Sequence, residues 1–284
     1  MASIAHVDEW EDQCASVSEI EQALIDLRAR RGWIGTRNLR SSVLTHMAWV
    51  PPEWQEAATE TLAGLAERHP SRTLLLFPQP DAEDGLAARV LLECYDVPDT
   101  KRHLCSDVVQ LDLRGARATA PASIVLPLLL PHLPVFLRWR GLPPFRSPVL
   151  DQLVAVADRL VLDSAEWPDP AAGYAELPTL FEQAAVTDIA WRRTVAWRRE
   201  LARAWPDLPD RLIGPPAETT LLAGWLRSRA GVDVEIEPAP ELPIGGDGSA
   251  SDLLSNELDV FVRDPIYEAA VRAVTPGPHR AGRP

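Results

Sequence analysis

Apolar residues follow two patterns along the N-terminal part of the chain. Short continuous apolar runs, such as RTLLLF at 72–77 and PVFLRW at 134–139, are typical of strands that are buried on both faces of a sheet. Between such runs, apolar residues recur every three or four positions at 53–68 and 148–157, which predicts helices. This alternation of helix and strand predicts an α/β fold, with a three-layer domain around a mixed sheet at 35–167.

Two further apolar segments, 87–95 and 104–113, flank the turn-rich sequence PDTKRH and predict an antiparallel pair of strands. The small and apolar residues of the next segment, 116–130, predict a buried helix. Cys94 and Cys105 lie on the predicted pair and can face each other across it. Because the chain has three cysteines, and an odd number is unusual for a disulfide framework, the sequence predicts buried free thiols and a reducing compartment.

The two ends of the chain differ from this middle part. Residues 1–34 predict an N-terminal helical segment, whose helix begins at Ser18 with Glu21 completing a capping box. A change of composition predicts a smaller, mainly helical C-terminal domain at 168–275, followed by a disordered tail at 276–284. The elements predicted in that domain are helices at 177–186, 189–205 and 219–230 and a strand at 232–237.

Composition and charge narrow the function classes. The 284 residues include 28 Lys and Arg against 41 Asp and Glu, a net charge of −13, and 46% of them are hydrophobic, which is enough for a packed core. The negative charge opposes binding to phosphate backbones and to anionic lipids. No apolar run approaches the length of about 18–20 residues that a membrane span requires. We therefore expect a cytoplasmic protein that binds neither nucleic acid nor membrane.

The sequence lacks the common motifs of catalysis. It contains no GxxxxGK[ST] phosphate loop, no GxSxG nucleophile motif and no HExxH zinc motif, and its six histidines are scattered singly. Gly246 and Gly248 resemble the start of a dinucleotide fingerprint, but Ser251 occupies the third glycine position. The sequence therefore predicts no catalytic residue, no metal ion and no cofactor.

A ligand site at the end of the predicted strand 159–163 is an alternative hypothesis. Asp163 and Ser164 end this strand, and ligands of α/β proteins bind at the carboxyl ends of strands. With Arg138 and Arg140 as anion ligands, this site predicts an enzyme or sensor for a phosphosugar or a nucleotide. The other interpretation is that Asp163 and Ser164 cap the chain as it leaves the sheet, and that the arginines lie at a solvated edge or pair with an aspartate.

The segment 191–205, WRRTVAWRRELARAW, places aromatic and arginine side chains on one predicted helix. This composition is enriched at the centre of protein–protein interfaces. The predicted partner-binding residues come from this segment and from the earlier RWR sequence, and they are Trp191, Arg192, Trp197, Arg198, Arg138, Trp139 and Arg140. Internal packing of the tryptophans beside solvated or paired arginines is one alternative, and nucleic-acid binding is another.

Several sequence blocks follow one another in a characteristic order. They include SVLTHMAWV, RTLLLFPQPD, HLCSDVVQLDLRG, PVFLRWRGLPP, ADRLVLDSAEW and RDPIYEAAV. In these blocks the chain resembles the OpcA family, the glucose-6-phosphate dehydrogenase assembly proteins of actinobacteria and cyanobacteria. The resemblance extends over about residues 35–275.

The resemblance implies a non-catalytic protein that binds oligomeric glucose-6-phosphate dehydrogenase, promotes its active oligomeric form and raises its activity. Such a protein would support the oxidative pentose phosphate pathway and its supply of NADPH. The chain departs from the family at Arg138 and Trp139, where the family tends to carry two tryptophans. It also has no cysteine beyond Cys105, so the redox regulation implied for cyanobacterial relatives is not expected here.

Overall fold

The structure is a computed structural model that describes residues 4–30, 38–40, 42–62, 65–96, 103–246 and 248–274. The strands in these ranges are β1 (Ile4–Asp12), β2 (Asn38–Arg40), β3 (Leu44–Trp49), β4 (Ser71–Gln79), β5 (Gly85–Asp96), β6 (His103–Arg114), β7 (Val135–Trp139), β8 (Arg159–Leu162), β9 (Ala185–Asp188), β10 (Arg211–Gly214) and β11 (Glu235–Pro238). The helices are α1 (Val17–Arg30), α2 (Gln55–Leu62), α3 (Leu65–Arg68), α4 (Ala116–Thr119), α5 (Ala122–Val125), α6 (Pro148–Val154), α7 (Pro170–Glu176), α8 (Ile189–Arg193), α9 (Val195–Ala204), α10 (Pro216–Ala230), α11 (Ala250–Leu258) and α12 (Pro265–Val274). The predicted tail at 276–284 lies outside the described residues.

The chain divides into two compact units. Unit 1 runs to Leu160 and includes Ser249–Val260, and unit 2 runs from Val161 to Gly248 and resumes at Phe261. The division falls inside β8, shortly before the boundary expected at residue 167. Helix α11 belongs to unit 1 although unit 2 precedes and follows it in the sequence.

Unit 1 is built on a mixed sheet with the strand order β1-β5-β6-β4-β3-β7-β8. Strands β6, β4, β3 and β7 run parallel, whereas β5 is antiparallel to β6 and β1 is antiparallel to β5. The short strand β2 pairs in parallel with the start of β6. The first six residues of β4 are buried on both faces, as the continuous apolar run predicts. The predicted mixed sheet and its antiparallel pair are confirmed.

Helices cover both faces of this sheet. On one face, Ala48 of β3 and Leu75 of β4 pack with Ala58 of α2. On the other face, Arg28 of α1 donates hydrogen bonds to the carboxylate of Asp107 in β6. Because side chains alternate between the faces of a strand, one sheet supports both layers, and the α/β class is confirmed.

The N-terminal segment differs from the prediction of a purely helical region. Strand β1 precedes α1 and lies at the edge of the sheet, so its sequence carries few of the apolar residues that mark a buried strand. Helix α1 is present, but Ser16 and Glu19 form its cap in place of Ser18 and Glu21. The Ser16 hydroxyl accepts from the Glu19 N–H at 3.3 Å, and the Glu19 carboxylate accepts from the Ser16 N–H at 2.8 Å.

The buried helix predicted at 116–130 is interrupted. Helices α4 and α5 each span a single turn, and a 3-10 turn follows at Leu126–Leu128. Pro121 precedes α5, and Pro127 lies within the 3-10 turn. Because proline removes a backbone N–H and clashes with the preceding turn, the segment cannot continue as one helix.

Cys94 and Cys105 lie directly opposite each other on β5 and β6 and form a disulfide. The prediction that they face each other is confirmed, and the prediction of free thiols is wrong. The register of the two strands, which the number of cysteines does not reveal, brings the two Cα atoms to 4.1 Å. Cys14 is a free, exposed thiol.

Unit 2 is mainly helical, as predicted, but some of its elements differ. A 3-10 turn at Leu177–Leu180 and strand β9 replace the helix predicted at 177–186. The helix predicted at 189–205 is broken at Thr194, whose hydroxyl donates to the carbonyl of Trp191 at 2.7 Å. The predicted strand at 232–237 contains the start of β11, and β11 pairs in parallel with β10, which the sequence did not predict.

In the part of the chain that the structure describes, no helix combines the length and the apolar character needed to cross a membrane.

Candidate partner-binding surface

The predicted ligand residue Asp163 lies in a buried cluster of charged side chains in unit 2. It follows β8 and caps a short 3-10 turn by accepting a hydrogen bond from the N–H of Ala165 at 3.3 Å. The guanidinium of Arg193 donates two hydrogen bonds to Asp163, at 2.8 and 2.6 Å, and a third to Glu218 at 3.2 Å. Its pKa is raised, because these hydrogen bonds and charges outweigh the opposing effect of burial.

Ser164 is fully buried beside the same cluster. Its N–H donates to Asp188 at 3.0 Å, and its hydroxyl is hydrogen-bonded to the hydroxyl of Tyr174. Burial raises the pKa of Asp188 to about 7, and the charge of Asp163 acts in the same direction. Asp163 and Ser164 therefore bind other parts of unit 2, which corresponds to the capping interpretation and leaves the ligand-site alternative without an accessible pair.

The predicted contact residues Arg138, Trp139 and Arg140 are buried in unit 1. Trp139 stacks on Trp49, with ring centroids 5.2 Å apart. Arg138 donates to the carbonyl of Trp139, and Arg140 donates to the hydroxyl of Thr61 at 2.6 Å. We therefore correct the assignment of these three side chains to a contact surface. The expectation of a solvated sheet edge is also wrong.

The two arginines affect a neighbouring buried group. His46 on β3 is buried, and neither of its ring nitrogens has a hydrogen-bond partner. Burial lowers its pKa to about 3, and the charges of Arg138 and Arg140 add to this effect. His46 is therefore neutral near pH 7, and the arginines that were proposed as anion ligands belong to the interior of unit 1.

The predicted contact residues Trp191 and Trp197 are also buried. Trp197 packs in a hydrophobic cluster with Leu201 and Leu212. Trp191 donates its indole N–H to the carboxylate of Asp264 at 2.9 Å. Internal packing, the alternative interpretation, accounts for both tryptophans, and their assignment to the surface is corrected.

Arg192 and Arg198 are the predicted contact residues that remain partly exposed. The guanidinium of Arg198 lies 3.5 Å from the ring centroid of Trp191 and donates to the hydroxyl of Thr194 at 3.0 Å. Burial lowers the pKa of Arg198 to about 10, which leaves it positively charged near pH 7. The cation of Arg198 is therefore held in place on the aromatic face of the buried Trp191.

Close to these arginines lie apolar residues that the sequence reasoning missed. Phe261, Val262 and Ile266 are 61%, 72% and 40% exposed. They flank Asp264, the residue that accepts the hydrogen bond from Trp191. In the sequence, the adjacent apolar residues Phe261 and Val262 were the signal, but such a pair ordinarily predicts a buried position. We call Arg192, Arg198, Phe261, Val262 and Ile266 together the arginine–apolar surface.

The described ranges contain no set of side chains that could bind a metal ion. No group of three or more His, Cys, Asp or Glu side chains among those residues is arranged to hold a metal ion. The buried carboxylates of unit 2 instead face Arg193.

Comparisons with known proteins show a similarity over part of the chain. A family model described as the glucose-6-phosphate dehydrogenase subunit N-terminal domain matches residues 63–178, a shorter stretch than the expected 35–275. Three curated relatives bear the provisional name OxPP cycle protein OpcA. One from Nostoc punctiforme is 27% identical over 181 residues, which is 58% of this chain and 39% of the relative.

The other two relatives match this chain with similar identity and over a similar length. The protein from Synechococcus elongatus is 28% identical over 182 residues, 59% of this chain and 41% of its own length. The protein from Synechocystis is 24% identical over 184 residues, 58% of this chain and 38% of its own length. The matched part of the chain thus spans about two fifths of the length of these relatives. Residues 63–178 match this family model, and the chain is similar to the three OpcA proteins over a little more than half of its length.

Proposed function

We propose that this protein is a non-catalytic assembly partner of glucose-6-phosphate dehydrogenase that acts in the cytoplasm. It binds the oligomeric enzyme, favours its active form and raises its activity, which supports the oxidative pentose phosphate pathway and the supply of NADPH. The observation that carries the proposal is the match of residues 63–178 to a family described by that dehydrogenase.

The proposed activation is a shift between two states of the dehydrogenase. A protein that binds one state more tightly than the other moves the equilibrium by that difference in affinity. If it lowers the KM for substrate by acting on the binding step, then substrate must tighten its own binding by the same factor. No nucleophile or general base is needed on this chain, because the enzyme supplies the chemistry.

The contacts that we assign to this chain are Arg192 and Arg198. Both side chains are partly exposed, and arginine is enriched at protein interfaces because it forms several hydrogen bonds while packing on apolar groups. Arg198 already has hydrogen bonds within unit 2, so replacing it also tests stability. The binding test replaces Arg192, which is also partly exposed.

The alternative of a phosphosugar or nucleotide site has weaker support. Its residues Asp163 and Ser164 are held by Arg193, Asp188 and Tyr174 inside unit 2. A ligand would have to break several hydrogen bonds of buried groups, each of which costs about 1–3 kcal/mol when left unsatisfied.

The test measures binding of the purified chain to the dehydrogenase of the same organism. We expect co-elution of the wild type, a dissociation constant raised about tenfold by Arg192→Glu, and no change from Arg229→Glu. Arg229 is an exposed arginine of α10 and controls for the loss of positive charge. Separate elution of the wild-type proteins contradicts the proposed function, and equal binding by all variants contradicts the assignment of Arg192.

A further inference from the structure

Large apolar side chains are exposed in the segment that leads into α12 and in the first turn of α12. Phe261 and Val262 are 61% and 72% exposed, and Ile266 is 40% exposed. Single exposed apolar residues are ordinary, whereas a contiguous apolar patch marks an interaction site. Three such side chains lie within six residues of one another, which makes this segment a candidate interaction site.

The segment is anchored to the interior of unit 2. Asp264 accepts hydrogen bonds from the N–H groups of Ile266 and Tyr267, at 2.9 and 3.0 Å, and from the indole of Trp191 at 2.9 Å. Tyr267 is fully buried and packs against Trp191 and Phe181, with ring centroids 5.9 and 6.2 Å away. These contacts fix the backbone at the start of α12 before a partner arrives, so little ordering entropy is lost there on binding.

Arginine side chains lie near the patch beside the carboxylates of Asp264 and Glu268, although the chain as a whole carries a net charge of −13. Arg198 stacks on Trp191, the side chain that Asp264 holds. Arg192 follows Trp191 on α8, and Arg263, whose side chain is 45% exposed, forms an ion pair with Glu268 at 3.7 Å. The complementary surface therefore has apolar side chains bordered by Asp or Glu carboxylates.

We infer that the arginine–apolar surface is the docking surface for glucose-6-phosphate dehydrogenase, with Phe261 and Val262 entering an apolar pocket whose rim carries carboxylates. This inference rests on the proposed function and adds to it the anchor residues and the chemistry of the partner surface. The fixed geometry around Asp264 and the neighbouring arginine on Trp191 support it.

The test compares two double variants, each of which replaces two exposed apolar side chains by serine. Phe261→Ser with Val262→Ser alters the proposed anchor, and Ile25→Ser with Val43→Ser alters side chains of unit 1 that are 57% and 52% exposed. The dissociation constant for the dehydrogenase is measured by biolayer interferometry, and circular dichroism checks that each variant is folded. We expect the dissociation constant to rise at least tenfold for the first pair and less than twofold for the second.

A single variant, Val262→Glu, keeps the test decisive if the first pair fails to fold. It places a carboxylate against the acidic rim, and we expect it to weaken binding at least tenfold as well. Wild-type binding that neither variant weakens overturns the docking assignment and leaves the proposed function standing. Absence of wild-type binding overturns both.

A second copy of this chain is the other possible occupant. Sedimentation of the wild type and of the Phe261→Ser variant, each without the dehydrogenase, tests that outcome. Self-association that depends on Phe261 would overturn the assignment to the dehydrogenase, and a monomer over the concentration range of the binding experiment is the expected result.

Discussion

The two units bury charge in opposite proportions. In unit 1, the carboxylate of Asp107 accepts hydrogen bonds from Arg28 and Arg72, so two cations surround one anion. In unit 2, Arg193 faces the carboxylates of Asp163 and Glu218, with Asp188 close by. The first cluster satisfies its anion, whereas the second leaves one oxygen of Asp188 and one of Glu218 without a hydrogen bond.

This difference in the ratio of cations to carboxylates changes how readily the buried carboxylates bind protons. A carboxylate without enough cations around it binds a proton more readily, because burial disfavours the charged form. Burial accordingly raises the pKa values of both Asp188 and Glu218. We therefore expect unit 2 to be sensitive both to the loss of its arginine and to pH.

The largest expected effect comes from Arg193→Met. The variant leaves the buried carboxylates of Asp163 and Glu218 without their shared cation, and breaking a buried pair costs about 3–5 kcal/mol. Urea unfolding of the variant, beside the exposed control Arg229→Met, measures this loss. A free energy of unfolding within about 1 kcal/mol of the wild type would show that the cluster does not depend on Arg193.

A smaller loss is expected from Asp107→Asn in unit 1. The substitution removes the anion between two arginines, but the Arg28 side chain is 17% exposed and can regain water. Arg72 keeps a hydrogen bond to the carbonyl of Leu128 at 2.8 Å. We expect a loss of about 2–3 kcal/mol in the same unfolding measurement. A loss greater than that of Arg193→Met would reverse the comparison between the units.

The smallest effect concerns pH and Asp188. Its pKa is raised from 3.8 to about 7, so the folded protein binds this proton more tightly than the unfolded chain does. Stability from this group is therefore complete below the unfolded pKa and declines as the pH rises towards 7. Asp163, Glu218, Arg193 and Tyr174 are the ionisable groups that surround it.

Asp188→Asn should remove this decline. The amide oxygen still accepts from the N–H groups of Ser164 and Ala190, which Asp188 binds at 3.0 and 2.9 Å. Relative to the wild type, we expect the variant to gain about 2 kcal/mol between about pH 5 and pH 7. Thermal unfolding across that range measures the gain, and parallel curves for the two proteins would contradict the assignment.

Much of the fold of unit 1 could be predicted from sequence because buried parallel strands leave continuous apolar runs. RTLLLF and PVFLRW became β4 and β7, and the two segments around PDTKRH became β5 and β6. The edge strand β1 left no such run, and β10 is only four residues long. The disulfide required the register between β5 and β6, which residue counts do not give.

The candidate surface was predicted only in part, for a related reason. Arginine and tryptophan in RWR and in α8 and α9 suggested a contact surface, but most of these side chains are buried in the structure, as Arg140 is beside Thr61. Conversely, Phe261 and Val262 would be predicted as buried from their apolar character, and they are exposed. Composition indicates which side chains suit an interface, whereas burial depends on tertiary contacts between distant segments.

The most direct test of the proposed function titrates this chain against the dehydrogenase of the same organism. Initial rates over a range of substrate concentrations and the mass distribution of the enzyme are measured in the same samples. We predict that the rate rises to a plateau, that the enzyme shifts to a larger complex containing this chain, and that both changes reach half of their maximum at one concentration. An unchanged rate with an unchanged mass distribution would contradict the proposed function.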